Sequence, residues 1–243
     1  MLPFWNQTLG ADHFYISCEG VGYESDRSVV ELKKNSIQIT CFPSPQNRYI
    51  PHKDITLPHL RIGDELRLAE NIKFLGYVGY LNDMNSKIAS SSFIKELSID
   101  PDFQLDLEPF TADGGELLVN SKFCLFFYNM SVSIASVSEG LRIGCVPVVI
   151  SDSAVIDLPF MDVLNWKDIV LFVGTSGGVK EVKKVLQGIL WSDKYQKMRE
   201  MGWVASKHFD WYPSPKPYDA FHTVLYQLWI RRHTIRYPRR EER

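Results

Sequence analysis

The run Ser138–Glu139–Gly140–Leu141–Arg142–Ile143–Gly144–Cys145–Val146–Pro147–Val148–Val149–Ile150 constrains the fold more than any other stretch of this chain. It reads as the end of a helix, a tight glycine turn and then a strand that is apolar throughout. A strand with no polar alternation has no solvent face, so it belongs inside a parallel sheet covered on both sides. Parallel strands need crossover helices, and open sheets of this kind take ligands beyond the carboxyl ends of their strands. Glu139 puts a carboxylate on the helix that leads into the turn.

The same rhythm runs along the chain. Apolar runs predict strands at 12–18, 36–41, 72–80, 103–107, 122–127, 146–150 and 169–173. Helical periodicity predicts helices at 26–34, 91–97, 116–120, 132–142, 179–190, 192–209 and 219–232. Residues 41–60 carry four prolines and no helical period, and read as irregular. Strands alternating with helices imply βαβ units, here in two Rossmann-like halves. The expected division is 1–67, 68–210 and a closing segment 211–243. In that segment Phe221, Val224, Leu225, Leu228 and Trp229 share a stripe at helical spacing, which predicts an inward apolar face.

Composition narrows the function classes. A formal net charge of −2 makes no electrostatic case for nucleic acid. The basic cluster Arg231, Arg232, Arg236, Arg239, Arg240 and Arg243 reads as a solvated helix end and tail. No stretch of about 18 apolar residues occurs, and the first residues lack the charged and apolar regions of a signal peptide. Cys18, Cys41, Cys124 and Cys145 each sit in or beside an apolar run, and their spacing matches no metal pattern, so they read as buried thiols. No G-x-G-x-x-G follows a strand, which argues against a Rossmann oxidoreductase.

Several short motifs then fall in order. Phe4–Trp5–Asn6–Gln7–Thr8 precedes Gly10–Ala11–Asp12–His13–Phe14. His52–Lys53–Asp54–Ile55 is followed by Leu57–Pro58, and Ser121–Lys122–Phe123–Cys124–Leu125 opens a strand. Glu139 stands five residues before Gly144–Cys145–Val146–Pro147–Val148, with Leu158–Pro159–Phe160 and Trp166 beyond. Asp219–Ala220–Phe221–His222 opens the last helix. Together they resemble the exostosin-type glycosyltransferase family in its plant-type branch.

The resemblance implies an α/β, GT-B-like fold of two Rossmann-like halves, the N-terminal one incomplete in this chain. Residues 1–67 would be the acceptor-side remnant, 68–210 the nucleotide-sugar domain, and 211–243 a helix crossing back, its apolar stripe packed on both halves, with a basic tail. The implied reaction is inverting transfer of a sugar from a nucleotide sugar, a UDP-sugar, to a polysaccharide or glycan acceptor. No cofactor beyond that donor is implied, and no metal for donor binding. The implied setting is the Golgi lumen, as a type II membrane protein whose anchor lies outside this chain. The chain is therefore expected to be the C-terminal part of a longer protein, leaving an apolar sheet face or edge uncovered. The alternative is a non-catalytic relative that binds a glycan or a partner glycosyltransferase.

Site residues follow from the matching positions. Glu139 is the expected carboxylate for the two ribose hydroxyls, against the plainer reading of a solvent-facing helix residue. Ser121 and Lys122 open the neighbouring strand; Lys122 would neutralise a phosphate, or is a surface lysine. Gly144 needs only a positive φ. Asp12 and His13 would act as base and orienter, or fix a buried loop. Asp54 reads as a turn residue, and Trp5, Trp166 and Trp211 as packing or sugar stacking. Three positions depart from the family pattern. Ser136 replaces an arginine that would grip the diphosphate, Phe127–Tyr128–Asn129 replaces P-R-G, and Glu19–Gly20–Val21–Gly22 replaces H-D-W-G. Sequons occur at Asn6–Gln7–Thr8 and Asn129–Met130–Ser131, the second expected to stay unmodified beside the donor site.

Overall fold

A computed structural model describes residues 5–17, 30–41, 49–57, 72–78, 92–105, 119–128, 133–153 and 156–232. The elements are α1 (Trp5–Thr8), β1 (Phe14–Ile16), α2 (Val30–Asn35), β2 (Ile37–Thr40), β3 (Ile55–Thr56), β4 (Phe74–Val78), α3 (Ser92–Ile99), β5 (Phe103–Leu105), β6 (Ser121–Phe127), α4 (Ser133–Ile143), β7 (Val146–Ile150), β8 (Leu171–Val173), α5 (Gly178–Leu190), α6 (Asp193–Ser206) and α7 (Ala220–Arg231). Cys18, residues 26–29 of the expected helix 26–34 and residues 116–118 of the expected helix 116–120 lie outside the described residues. Among the described residues no helix is long and apolar enough to cross a membrane.

The chain forms two compact units. One comprises Met1–Arg61, Asp157–Leu164 and Trp211–Arg243; the other comprises Ile62–Ile156 and Asn165–Asp210. Each is an α/β unit built on an all-parallel sheet.

In the first unit the strand order is β1-β2-β3. β2 lies in the middle and is buried at every residue. β3 falls inside the segment expected to be irregular. At two residues it is too short to show a period, and its pairing with β2 (Ile39 opposite Ile55) is what makes it a strand. β1 leaves Phe14 52% and Ile16 62% exposed, so apolar surface on that strand is uncovered.

α7 belongs to this unit and packs on β3. Its inward face is not the expected stripe. Ala220, Thr223, Val224, Gln227 and Arg231 are buried, whereas Phe221, Leu225 and Trp229 are exposed. On that inward face Arg231 donates to the Pro51 carbonyl at 3.2 Å and to the Asp162 carboxylate at 2.7 Å. A guanidinium cannot shed its charge, and these acceptors compensate its burial.

The second unit holds the order β5-β4-β6-β7-β8. Register sets Phe123, Leu125 and Phe127 beside Val146, Val148 and Ile150 on one face. That face meets α3 and α5 in the main core. Gly140 of α4 lies against Cys124 and Phe126 on the other. Both faces are covered, as the unbroken apolar strand predicted.

The cysteines correct the sequence reading. Cys124 and Cys145 form a disulfide with a Cα–Cα distance of 5.9 Å, and Cys41 is disulfide-bonded as well. A separation of 21 residues gives no hint of this. Adjacency of β6 and β7 creates it: Cys124 lies in β6, and Cys145 stands in the turn immediately before β7, within bridging distance of it.

Candidate functional site in the second unit

Counted along the chain, the five strands of the second unit follow the order 2-1-3-4-5, with β5 and β6 on opposite sides of β4. The strand order reverses between β4 and β6, and open parallel sheets bind ligands beyond the carboxyl ends of their strands at such a point. This edge runs from Val78 of β4 through Phe127 of β6 to Ile150 of β7 and Val173 of β8.

α4 descends from this edge. Ser136 lies in its first two turns; its side chain is outside the described residues. Glu139 stands six residues from the start of α4, about 9 Å down the helix axis. Its side chain is 22% exposed, so a ligand can reach it without unfolding the helix. Oε2 lies 3.9 Å from Nε of Arg142, one turn on, and Arg142 is only 7% exposed.

At the next two strand ends, Asp152 ties β7 to β8. It accepts from the Thr175 N–H at 2.7 Å and from the Thr175 hydroxyl. The Thr175 hydroxyl, and then its N–H, hold the Asp152 carboxyl below the usual carboxylate range. Sequence reasoning left Asp152 without a role. Its position two residues past a strand end was the available signal.

Ser121, Lys122 and Gly144 gather at the opposite edge. β6 runs away from Ser121 and Lys122, which stand at its amino end, about 20 Å from Phe127. The Lys122 carbonyl accepts from the Tyr195 hydroxyl at 3.4 Å. Gly144 has φ of 80°. Cys145 N–H donates to the Gly140 carbonyl at 2.9 Å and Gly144 N–H to that of Leu141 at 3.2 Å, the paired bonds that end a helix in a left-handed residue. A Cβ at Gly144 would also come within 2.9 Å of Nε of Arg199.

Asp12 and His13 belong to the first unit, just before the amino end of β1. The Thr8 hydroxyl donates to Asp12, and Asp12 Oδ1 lies 2.6 Å from Nδ1 of His13. The Thr8 hydroxyl holds the Asp12 carboxyl below its ordinary value, against a modest desolvation and with help from His13. His13 N–H donates to the Gly10 carbonyl at 3.0 Å, and the Trp5 ring meets the His13 ring edge-on at 5.3 Å. Gly10 has φ of 90°, and the Trp5 ring occupies the space a Cβ there would need. The residues of the Trp-Asn-x-Thr-x-Gly-x-Asp-His motif therefore largely bond to one another.

The comparisons agree with this reading of the motifs. A family model described as the exostosin GT47 domain matches residues 1–189. The chain is 28% identical over 241 residues to "Probable glycosyltransferase At5g25310" of Arabidopsis thaliana, covering 95% of this chain and 49% of that protein. It is 29% identical over 240 residues to "Probable glycosyltransferase At3g07620" of the same plant, covering 96% and 50%. The chain thus spans about half the length of these curated relatives. Among solved structures it is similar to the calicheamicin glycosyltransferase CalG4, with a TM-score of 0.43, 10% identity, and coverage of 87% of this chain and 56% of that one. The family match extends over well more than half the sequence, and the chain belongs to the exostosin GT47 family.

Proposed function

We propose that this chain supplies the donor-binding unit of a glycosyltransferase that moves a sugar from a nucleotide sugar, a UDP-sugar, to a polysaccharide or glycan acceptor with inversion. The observation that carries the reading is Glu139 on the helix descending from the switch point of a parallel sheet. A carboxylate there can accept from both hydroxyls of a ribose, and charge-assisted bonds of this kind contribute about 1.5–3 kcal/mol each. In this reading Ser121, Lys122 and Gly144 serve the fold, because they stand at the other edge of the sheet. The Cys124–Cys145 disulfide supports action in an oxidising compartment, consistent with a Golgi lumen.

The test is calorimetric titration of UDP and UDP-sugars into four proteins. Wild type should bind. Glu139→Ala should weaken binding by about ten- to several-hundred-fold with the fold intact, and Glu139→Gln less. Ser136→Arg should raise affinity by adding a bidentate diphosphate contact. Unchanged binding in Glu139→Ala would remove Glu139 from the site. A second reading, a non-catalytic glycan- or partner-binding relative, is favoured by Ser136 in place of the expected arginine. Absence of nucleotide binding by all four proteins would select it.

A further inference from the structure

Among the described residues of this unit, Arg142 carries a buried charged group that the fold alone does not explain. It is 7% exposed, and a guanidinium keeps its charge in any surroundings. Its Nε is buried and reaches no hydrogen-bond acceptor among the described residues. Its one ionic neighbour among the described residues is Glu139, at 3.9 Å, close enough for strong attraction but longer than a hydrogen bond. Side chains on a helix lean toward its N-terminus, so Arg142 runs back along α4 over the turn that holds Glu139. Burying such a charge is costly unless a counter-charge is fixed beside it.

We infer that Arg142 is a positioning residue for Glu139. Its guanidinium, with Nε 3.9 Å from Oε2, orients the carboxylate on the helix face by charge. The carboxylate then meets two hydroxyls in a preset geometry. This inference rests on the ribose reading of Glu139. The plainer account of Arg142, a cation that stabilises the last turn of α4, makes no link to ligand affinity.

The two accounts separate in a double-mutant cycle on the full chain, with UDP as the probe and thermal midpoint as the control. The variants are Arg142→Met, which keeps much of the apolar stem, Glu139→Gln, and the pair together. Positioning predicts that Arg142→Met weakens UDP binding by about three- to thirty-fold, and that the double variant is no weaker than Glu139→Gln alone. Arg142→Lys, which retains the charge, should recover part of the loss. A stabilising role alone predicts a lower thermal midpoint, with UDP affinity in Arg142→Met within twofold of wild type or with losses that simply multiply in the double variant. Either result overturns the inference and leaves the ribose reading standing. If Glu139→Gln binds UDP as wild type does, or wild type does not bind, the ribose reading fails and takes this inference with it.

Discussion

Asp54 shows how a family motif can be structural rather than chemical. It is 1% exposed and accepts from the Gln38 N–H at 3.0 Å and the Ile50 N–H at 2.9 Å. Lys53 contacts the same carboxylate and donates to the Ser36 carbonyl at 2.7 Å. The Lys-Asp-Ile motif thus stitches the loop before β3 to β2. Asp54→Ala would strand a buried ammonium and two N–H groups, and should cost about 3–5 kcal/mol in chemical denaturation. A loss under 1 kcal/mol would show that the network is dispensable. The Asp12–His13 pair yields to a similar argument. It closes the turn into β1, away from the carboxyl ends where parallel sheets bind ligands. We expect His13→Gln to lower the thermal midpoint and to change sugar-transfer kcat by less than about threefold. A drop of about a hundredfold or more at unchanged stability would instead identify His13 as the base.

At the scale of elements, caps explain what periodicity cannot. Asp219 is the N-cap of α7: its carboxylate accepts from the His222 N–H at 3.0 Å and the Lys216 N–H at 2.7 Å, and meets the His222 ring at 2.8 Å. Burial alone would raise its carboxyl, but these partners outweigh it and hold the group below the ordinary carboxylate range. The sign follows from that direction. With the folded value depressed, the stabilisation is complete above the unfolded value of 3.8 and is lost as pH falls through the folded value. Asp219→Ala should cost about 0.5–2 kcal/mol at neutral pH. The gap to wild type should narrow below pH 3.8, and a gap that widens there would contradict the assignment. The Asp-Ala-Phe-His motif was legible as a helix start. The helix's inward face was not, because Arg231 and Gln227 are buried on it while Phe221, Leu225 and Trp229 are exposed, an arrangement set by distant partners such as Pro51 and Asp162.

For the whole molecule, the disulfide is the clearest case of order that only the fold creates. Cys124 and Cys145 are buried, so reductant should not reach them in the native protein. Closing a loop of this length restrains the unfolded chain by about 3 kcal/mol. Replacing both cysteines by alanine should lower the thermal midpoint by about 6–12 °C. Peptide mapping of unreduced protein should recover the Cys124–Cys145 link; two alkylatable thiols in its place would refute it.

The sequence by itself determined the alternation of elements, the parallel character of the sheets and the helix–turn–strand run around Gly144. These rest on local facts: periodicity, an apolar strand with no polar face, and a residue that tolerates positive φ. It also brought Glu139 forward as the carboxylate to test. The tertiary structure alone decided which motif residues stand at which sheet edge, which cysteines meet, which face of α7 turns inward, and that residues 157–164 group with the first unit. Each of these depends on the direction and register of distant strands and on where buried charges find partners. Such relations exist only once the strands are side by side, so no window of neighbouring residues contains them.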